Sequence, residues 1–167
     1  TYDAGDRLLQ ISDSVNGMVA WQYDLLDRVV QESTPSGSIS YSYDADGRRT
    51  TMSAPSQTTV LYDYNSAHQL TAISQGGVAV SVAYDNAGGR RSLTLPNGIV
   101  ADYAYDAAHR LTNLAYSASG AQLGDLRYSY DAAGKPTRVD GSLARTMLPQ
   151  RLVDASYDAA HRITTRA

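Results

Sequence analysis

Short runs in which apolar and small polar residues alternate cover this chain, and each run ends at a turn signal. In residues 38–57, Ile39, Tyr41 and Tyr43 alternate with Ser38, Ser40 and Ser42. That period of two places the rings on one face of a strand and the serines on the other. Asp44-Ala45-Asp46-Gly47 follows as a turn. An aspartate at its first position accepts backbone N–H groups two or three residues on, and Gly47 near its end takes a positive φ without a steric cost. Arg48 to Met52 returns as a second strand, and Ala54-Pro55-Ser56-Gln57 breaks the run before the next begins. The unit predicted is a β-hairpin. Apolar residues do not recur at the three-and-four spacing of a helix, and Gly or Pro interrupts too often for one.

The same grammar recurs along the whole chain. Tyr-Asp or its equivalent appears as Tyr2-Asp3, Tyr23-Asp24, Tyr43-Asp44, Tyr64-Asn65, Tyr84-Asp85, Tyr105-Asp106, Tyr130-Asp131 and Tyr157-Asp158, at spacings of 21, 20, 21, 20, 21, 25 and 27 residues. So short a period means one supersecondary unit copied in a row. Two residues before the pair tyrosine stand Trp21, Tyr41, Tyr62, Val82, Tyr103, Tyr128 and Ala155, in place to share its face. Five residues after it come Arg7, Arg28, Arg48, Gln69, Gly89, Arg110, Lys135 and Arg162, with Arg90 one place late in the fifth repeat. Asn16-Gly17, Ser36-Gly37, Pro55-Ser56, Gly76-Gly77, Pro96-Asn97-Gly98, Ser119-Gly120 and Asp140-Gly141 mark the turns between hairpins. Consecutive hairpins on short turns give an all-β meander of roughly 15 antiparallel strands. Residues 1–141 form the regular array, and 142–167 hold an irregular connection and the last repeat within the same domain.

Composition narrows the function. A net charge of -3 leaves no basic stripe for nucleic acid, and no run of apolar residues is long enough for a membrane-spanning helix. Zero cysteines exclude disulfides and thiolate metal sites. The 13 tyrosines stand beside one tryptophan and no phenylalanine. Rings with a polar tip suit a half-wet sheet in which each phenol finds a hydrogen-bond partner.

Tyr105-Asp106-Ala107-Ala108-His109-Arg110-Leu111-Thr112 and Tyr43-Asp44-Ala45-Asp46-Gly47-Arg48 resemble the YD repeat of bacterial Rhs proteins, and the resemblance covers almost the whole chain. Related repeats occur in the BC components of insecticidal Tc toxins and in teneurin shell domains. The resemblance implies a long β-sheet that spirals into a hollow shell, which in the bacterial toxins encloses a C-terminal effector. It also implies a secreted or cell-surface bacterial protein whose partners are further repeats or an effector of a larger parent. The Asp-Pro-centred segment that precedes self-cleavage in many members is absent. Eight repeats are also fewer than complete shells carry.

The candidate chemistry is weighed against that frame. Asp3, Asp24, Asp44, Asp85, Asp106, Asp131 and Asp158 all hold one place at the mouth of a turn, roughly 10 Å from copy to copy at two strand spacings. A catalytic carboxylate pair needs two different environments, and a ladder gives every copy the same one. The basic residue is read as the aspartate's partner, or as a guanidinium stacked on a neighbouring Tyr ring. His68, His109 and His161 occupy the place that Gly47 and Gly134 take, too far apart to converge on one metal, and are read as loop residues tolerating an unusual backbone. No Gly-x-Ser-x-Gly elbow or phosphate loop is present. The expectation is a structural segment with no enzyme activity and no cofactor. Its repeat motif comprises Tyr23, Asp24, Arg28, Tyr41, Tyr43, Asp44, Gly47, Arg48, Tyr62, Tyr64, Tyr84, Asp85, Tyr103, Tyr105, Asp106, Arg110, Tyr128, Tyr130, Asp131, Gly134, Tyr157, Asp158 and Arg162. Exposed sheet edges predict homo-oligomer formation. The competing reading is a carbohydrate-binding or adhesion module that uses an exposed Tyr and Arg surface.

Overall fold

The computed structural model describes residues 1–15, 17–144, 153–157, 159 and 163–166. The side chains of Tyr157, Asp158, His161 and Arg162 lie outside the described ones. The chain divides into two compact units, Thr1–Ala79 and Val80–Ala167. In the first, an isolated bridge joins Tyr2 to Leu8. It is followed by β1 (Gln10–Asp13), β2 (Gly17–Tyr23), β3 (Val29–Thr34), β4 (Gly37–Tyr43), β5 (Arg49–Ser53), β6 (Val60–Tyr64) and β7 (Leu70–Gln75). Then come β8 (Val78–Tyr84), β9 (Arg90–Thr94), β10 (Ile99–Tyr105), β11 (Leu111–Ala118), β12 (Ala121–Tyr130) and β13 (Pro136–Asp140). A 3-10 turn (Ser142–Ala144), β14 (Val153–Tyr157) and β15 (Ile163–Arg166) complete the second unit. The 15 strands follow one another in chain order in a single open sheet, the all-β hairpin array expected from the alternation.

The tyrosine-led turns are built alike. Asp44 Oδ1 accepts the backbone N–H groups of Asp46 at 3.0 Å and Arg48 at 2.9 Å, and Asp44 N–H donates to the Arg48 carbonyl at 2.9 Å. In the first seven repeats the fourth residue after the pair tyrosine has a left-handed backbone, with φ of +80° at Gly47, +84° at Gly88 and +80° at Gly134. Where no glycine stands there, Asp6, Asp27, His68 and His109 take φ of +60°, +61°, +60° and +59°. Aspartate and histidine are among the non-glycine residues enriched in that region. The loop role read for His68 and His109 follows from this backbone.

A feature not read from the sequence is a β-bulge in each tyrosine-led hairpin from β2–β3 to β14–β15. Tyr43 faces Arg49 while Ser42 faces Thr51, so Thr50 is the extra residue. The same slip leaves out Val30, Thr71, Arg91, Thr112, Thr137 and Thr164. The second strand therefore starts one residue later than expected, at Arg49. Bulges raise the local twist and bend a strand, and here the bend recurs with each repeat.

Burial is shallow. Among the described residues only Ala101, Gly124 and Asp125 are buried, and no large side chain is fully enclosed. Along β4 the tyrosines are half-buried while Ser40 and Ser42 are exposed. At the far end of the first hairpins, turns interlock through proline. A Cβ on Gly17 would stand 2.6 Å from Pro35 Cγ, and one on Gly37 would stand 3.0 Å from Pro55 Cγ. In the second unit Asp125 clasps the 3-10 turn. Its Oδ1 accepts from Ser142 N–H at 3.1 Å and Ser142 Oγ at 2.9 Å, and its Oδ2 accepts from Arg127 Nε at 2.6 Å.

Candidate functional site: the seam between repeats

Three contacts recur at the junction of successive hairpins, and all involve residues of the Tyr-Asp motif. The first is a phenol-to-backbone bond. Tyr23 Oη donates to the Leu8 carbonyl at 2.8 Å, Tyr43 to Val29 at 2.7 Å, Tyr64 to Arg49 at 3.0 Å, Tyr105 to Arg90 at 3.0 Å and Tyr130 to Leu111 at 2.7 Å. Each acceptor sits six residues after the preceding tyrosine, at the bulge. A main-chain carbonyl there is satisfied by the next repeat's side chain.

The second contact is the acid–base pair inside each loop. Arg7, Arg28, Arg48 and Arg110 donate from Nε to Oδ2 of Asp3, Asp24, Asp44 and Asp106 at 2.6, 2.7, 2.7 and 2.7 Å. The third carries the same guanidinium onward. Nη1 of Arg7, Arg28, Arg48 and Arg110 reaches the carbonyls of Asp24, Asp44, Asn65 and Asp131 at 3.4, 3.2, 3.5 and 3.1 Å. Each guanidinium also lies over the next pair ring, 4.7 to 5.0 Å from the centroids of Tyr23, Tyr43, Tyr64 and Tyr130. The two roles read for the basic residue, aspartate partner or ring cover, are therefore filled by one side chain. It staples its own loop to its neighbour.

A second guanidinium row lies on the tyrosine face. Arg49 sits 5.0 Å from the Tyr41 centroid and 5.6 Å from that of Tyr62, and Arg90 covers Tyr103 at 5.4 Å. Tyr128 lies on β12, half-buried, two residues before Tyr130. The fourth and fifth repeats vary the seam. Asn65 Nδ2 donates to Gln69 Oε1 at 2.9 Å, a neutral copy of the acid–base pair. Asp85 keeps its turn bonds to Ala87 and Gly89 N–H, while Gly89 supplies no side chain. Asp131 Oδ1 accepts Lys135 N–H at 2.8 Å.

The electrostatics follow from these bonds. Hydrogen bonds from the Arg7 backbone and guanidinium hold the Asp3 carboxyl below its usual range. The Arg28 guanidinium does the same for Asp24, and the Arg110 backbone N–H followed by its guanidinium for Asp106. At Asp44 burial pushes upward, and the Arg48 backbone and side-chain bonds outweigh it. Such carboxylates are held ionised and multiply hydrogen-bonded, which suits a turn cap and not a proton-transfer group. Among the described residues no three His, Asp or Glu side chains gather as a metal site. The sequence signal for the bulge was present and unread: threonine recurs seven residues after the tyrosine as Thr50, Thr71, Thr112, Thr137 and Thr164.

The seam's motif matches known proteins. The teneurin YD-shell family model matches residues 1–98. The chain belongs to the teneurin YD-shell family. An RHS repeat model matches residues 84–122 of this YD-shell chain. No curated protein matches it. Among solved structures it is similar to TcdB2-TccC3-TEV, with TM-score 0.73 and 18% identity over 93% of this chain and 9% of that one. It is similar also to TcdB2-TccC3, with TM-score 0.72 and 18% identity over 89% and 9%. A Tc holotoxin pore of Photorhabdus luminescens gives TM-score 0.65 and 19% identity over 92% and 8%. At these identities the likeness is one of fold. The YD-shell chain spans less than a tenth of the length of the solved chains it matches. Among the described residues no helix is long and apolar enough to cross a membrane.

Proposed function

We propose that this YD-shell chain is a stretch of wall in a secreted or cell-surface bacterial toxin-related protein, where it encloses or helps deliver an effector carried by the parent polypeptide. The observation that carries this reading is where the motif's chemistry is used. Phenol hydroxyls, carboxylates and guanidinium groups of the motif bond to one another and to backbone at successive hairpins. Groups committed in this way build a surface and leave no reactive constellation. The same observation disfavours the carbohydrate reading. Sugar recognition needs free aromatic faces, and guanidinium groups cover a face of Tyr23, Tyr41, Tyr43, Tyr62, Tyr64, Tyr103 and Tyr130.

The test is limited proteolysis of the intact parent polypeptide. A walled-in segment resists protease in the parent and becomes cleavable when the array is opened by Arg28→Ala with Tyr43→Phe. Equal digestion of all non-repeat segments before and after that change removes the enclosing role. Saturable, dose-dependent binding of the 167-residue chain on a glycan array would favour the adhesion reading instead.

A further inference from the structure

At five junctions among the described residues the fifth residue after one tyrosine meets the fourth residue after the next. Arg7 Nη1 binds Asp27 Oδ1 at 2.5 Å. Arg48 Nη1 stands 3.2 Å from His68 Nδ1, and Asp46 Oδ2 lies 3.5 Å from the same ring nitrogen. Gly47 and Gly134 leave room for the arginine: Nη1 of Arg28 and of Arg110 would each be 3.8 Å from an added Cβ. The fifth and sixth repeats exchange the parts. Gly89 holds the arginine's place with no side chain, and the His109 imidazole fills the space from the other side. A Cβ on Gly89 would lie 2.6 Å from His109 Cε1 and 2.7 Å from Nε2, with Asp85 Oδ2 at 2.9 Å. The imidazole is stacked on Tyr105, centroids 4.8 Å apart and planes 13° apart. It thus covers the pair ring that a guanidinium from the preceding repeat covers elsewhere.

We propose that these two positions form a neighbour-recognition code in which Gly89 accepts only a hairpin that carries histidine at the facing position, and that Gly89 with His109 is the joint that locks the fifth hairpin to the sixth. The physical need is plain. Near-identical hairpins compete for one another's edges, and a skipped or exchanged hairpin keeps most of its backbone pairing. Discrimination must come from side chains that clash or leave a gap in the wrong pairing. Because Arg48 accepts His68, an arginine does not exclude a histidine in its successor, and the discrimination rests on Gly89. The third placed after the fifth would set Gly47 against Gly89 and leave the ring of its pair tyrosine without either cover.

A double-mutant cycle on the full chain tests the joint, read by thermal melting. Gly89 has no positive φ, and other repeats carry a Cβ beside the same carboxylate, so only the imidazole forbids a side chain there. Gly89→Ala is expected to lower Tm by about 3 °C or more in the wild type and to leave it unchanged in the His109→Gly background. Gly89→Arg in that background is expected to raise Tm by restoring the regular staple. An equal penalty for Gly89→Ala in both backgrounds overturns the proposal. Proton NMR of the unmutated fold gives a second reading. Ring-current displacement of the His109 imidazole signals, lost in Tyr105→Leu, supports the joint, and unperturbed imidazole signals overturn it. Exchanging the code by His109→Gly with Gly134→His keeps composition constant and is expected to lower Tm. An unchanged Tm refutes the code.

Discussion

At the scale of the residue, the phenol hydroxyl explains why the chain uses 13 tyrosines and no phenylalanine. Each phenol that reaches a bulge carbonyl stabilises the seam by a bond that a phenyl ring cannot make. Tyr43→Phe leaves the ring under Arg28 but removes the donor to the Val29 carbonyl. The expected loss is about 1 kcal/mol, measured as a fall in the urea midpoint at constant m-value. Tyr103→Ala with Tyr105→Ala removes the ring under Arg90, the donor to the Arg90 carbonyl and the ring under His109. That pair should lower Tm far more than Tyr43→Phe. The sequence offered the polar ring tip as a requirement to be met. It could not show the acceptor, which is a backbone carbonyl in the preceding repeat.

At the scale of the element, the hairpin is a turn fixed by a carboxylate and a bulge fixed by a recurring residue. The carboxyls of Asp3, Asp24, Asp44 and Asp106 are depressed in the folded state. Their contribution to stability is therefore complete above the unfolded aspartate value of about 3.9 and is lost as pH falls through the lower folded values. Urea midpoints should hold steady from neutral pH to about pH 5 and fall below about pH 4. Asp24→Asn with Asp44→Asn should lower the neutral plateau and flatten that fall. A wild-type decline that begins near neutrality would contradict it. The turn and the strand alternation were legible because Ser40, Tyr41, Ser42 and Tyr43 spell the period of two and Asp44 opens the loop. The bulge was not, because Thr50 is inserted at a constant distance in each copy and disturbs no spacing between copies.

At the scale of the whole molecule, the order of 15 strands follows the chain, and the seam recurs, with variations, along the described repeats. Removing one complete period should therefore be tolerated. Deletion of residues 44–64 joins Tyr43 to Asn65 and keeps the motif in phase. Deletion of residues 44–63 leaves Tyr43 beside Tyr64 and moves the following strand by one residue, which turns every ring to the opposite face. The first variant should retain a cooperative melt and a β-type circular dichroism spectrum, and the second should lose both. The strand count and chain-order topology were readable from spacing alone. The clasp of Asp125 on Ser142 was not, since it depends on a close approach at Gly141, where a Cβ would meet the Asp125 carbonyl oxygen.

The thinness of the interior carries a calorimetric consequence. With only Ala101, Gly124 and Asp125 buried among the described residues, melting of the isolated chain hydrates comparatively little new hydrocarbon. The heat-capacity increment should fall short of the roughly 12–15 cal/mol/K per residue usual for globular domains. A small increment makes the free-energy curve broad and flat, so cold weakens such a sheet little and warming erodes it gradually. A stretch of polymer held by side-to-side latches instead of an oily centre would then keep its rigidity over an unusually wide span of temperature.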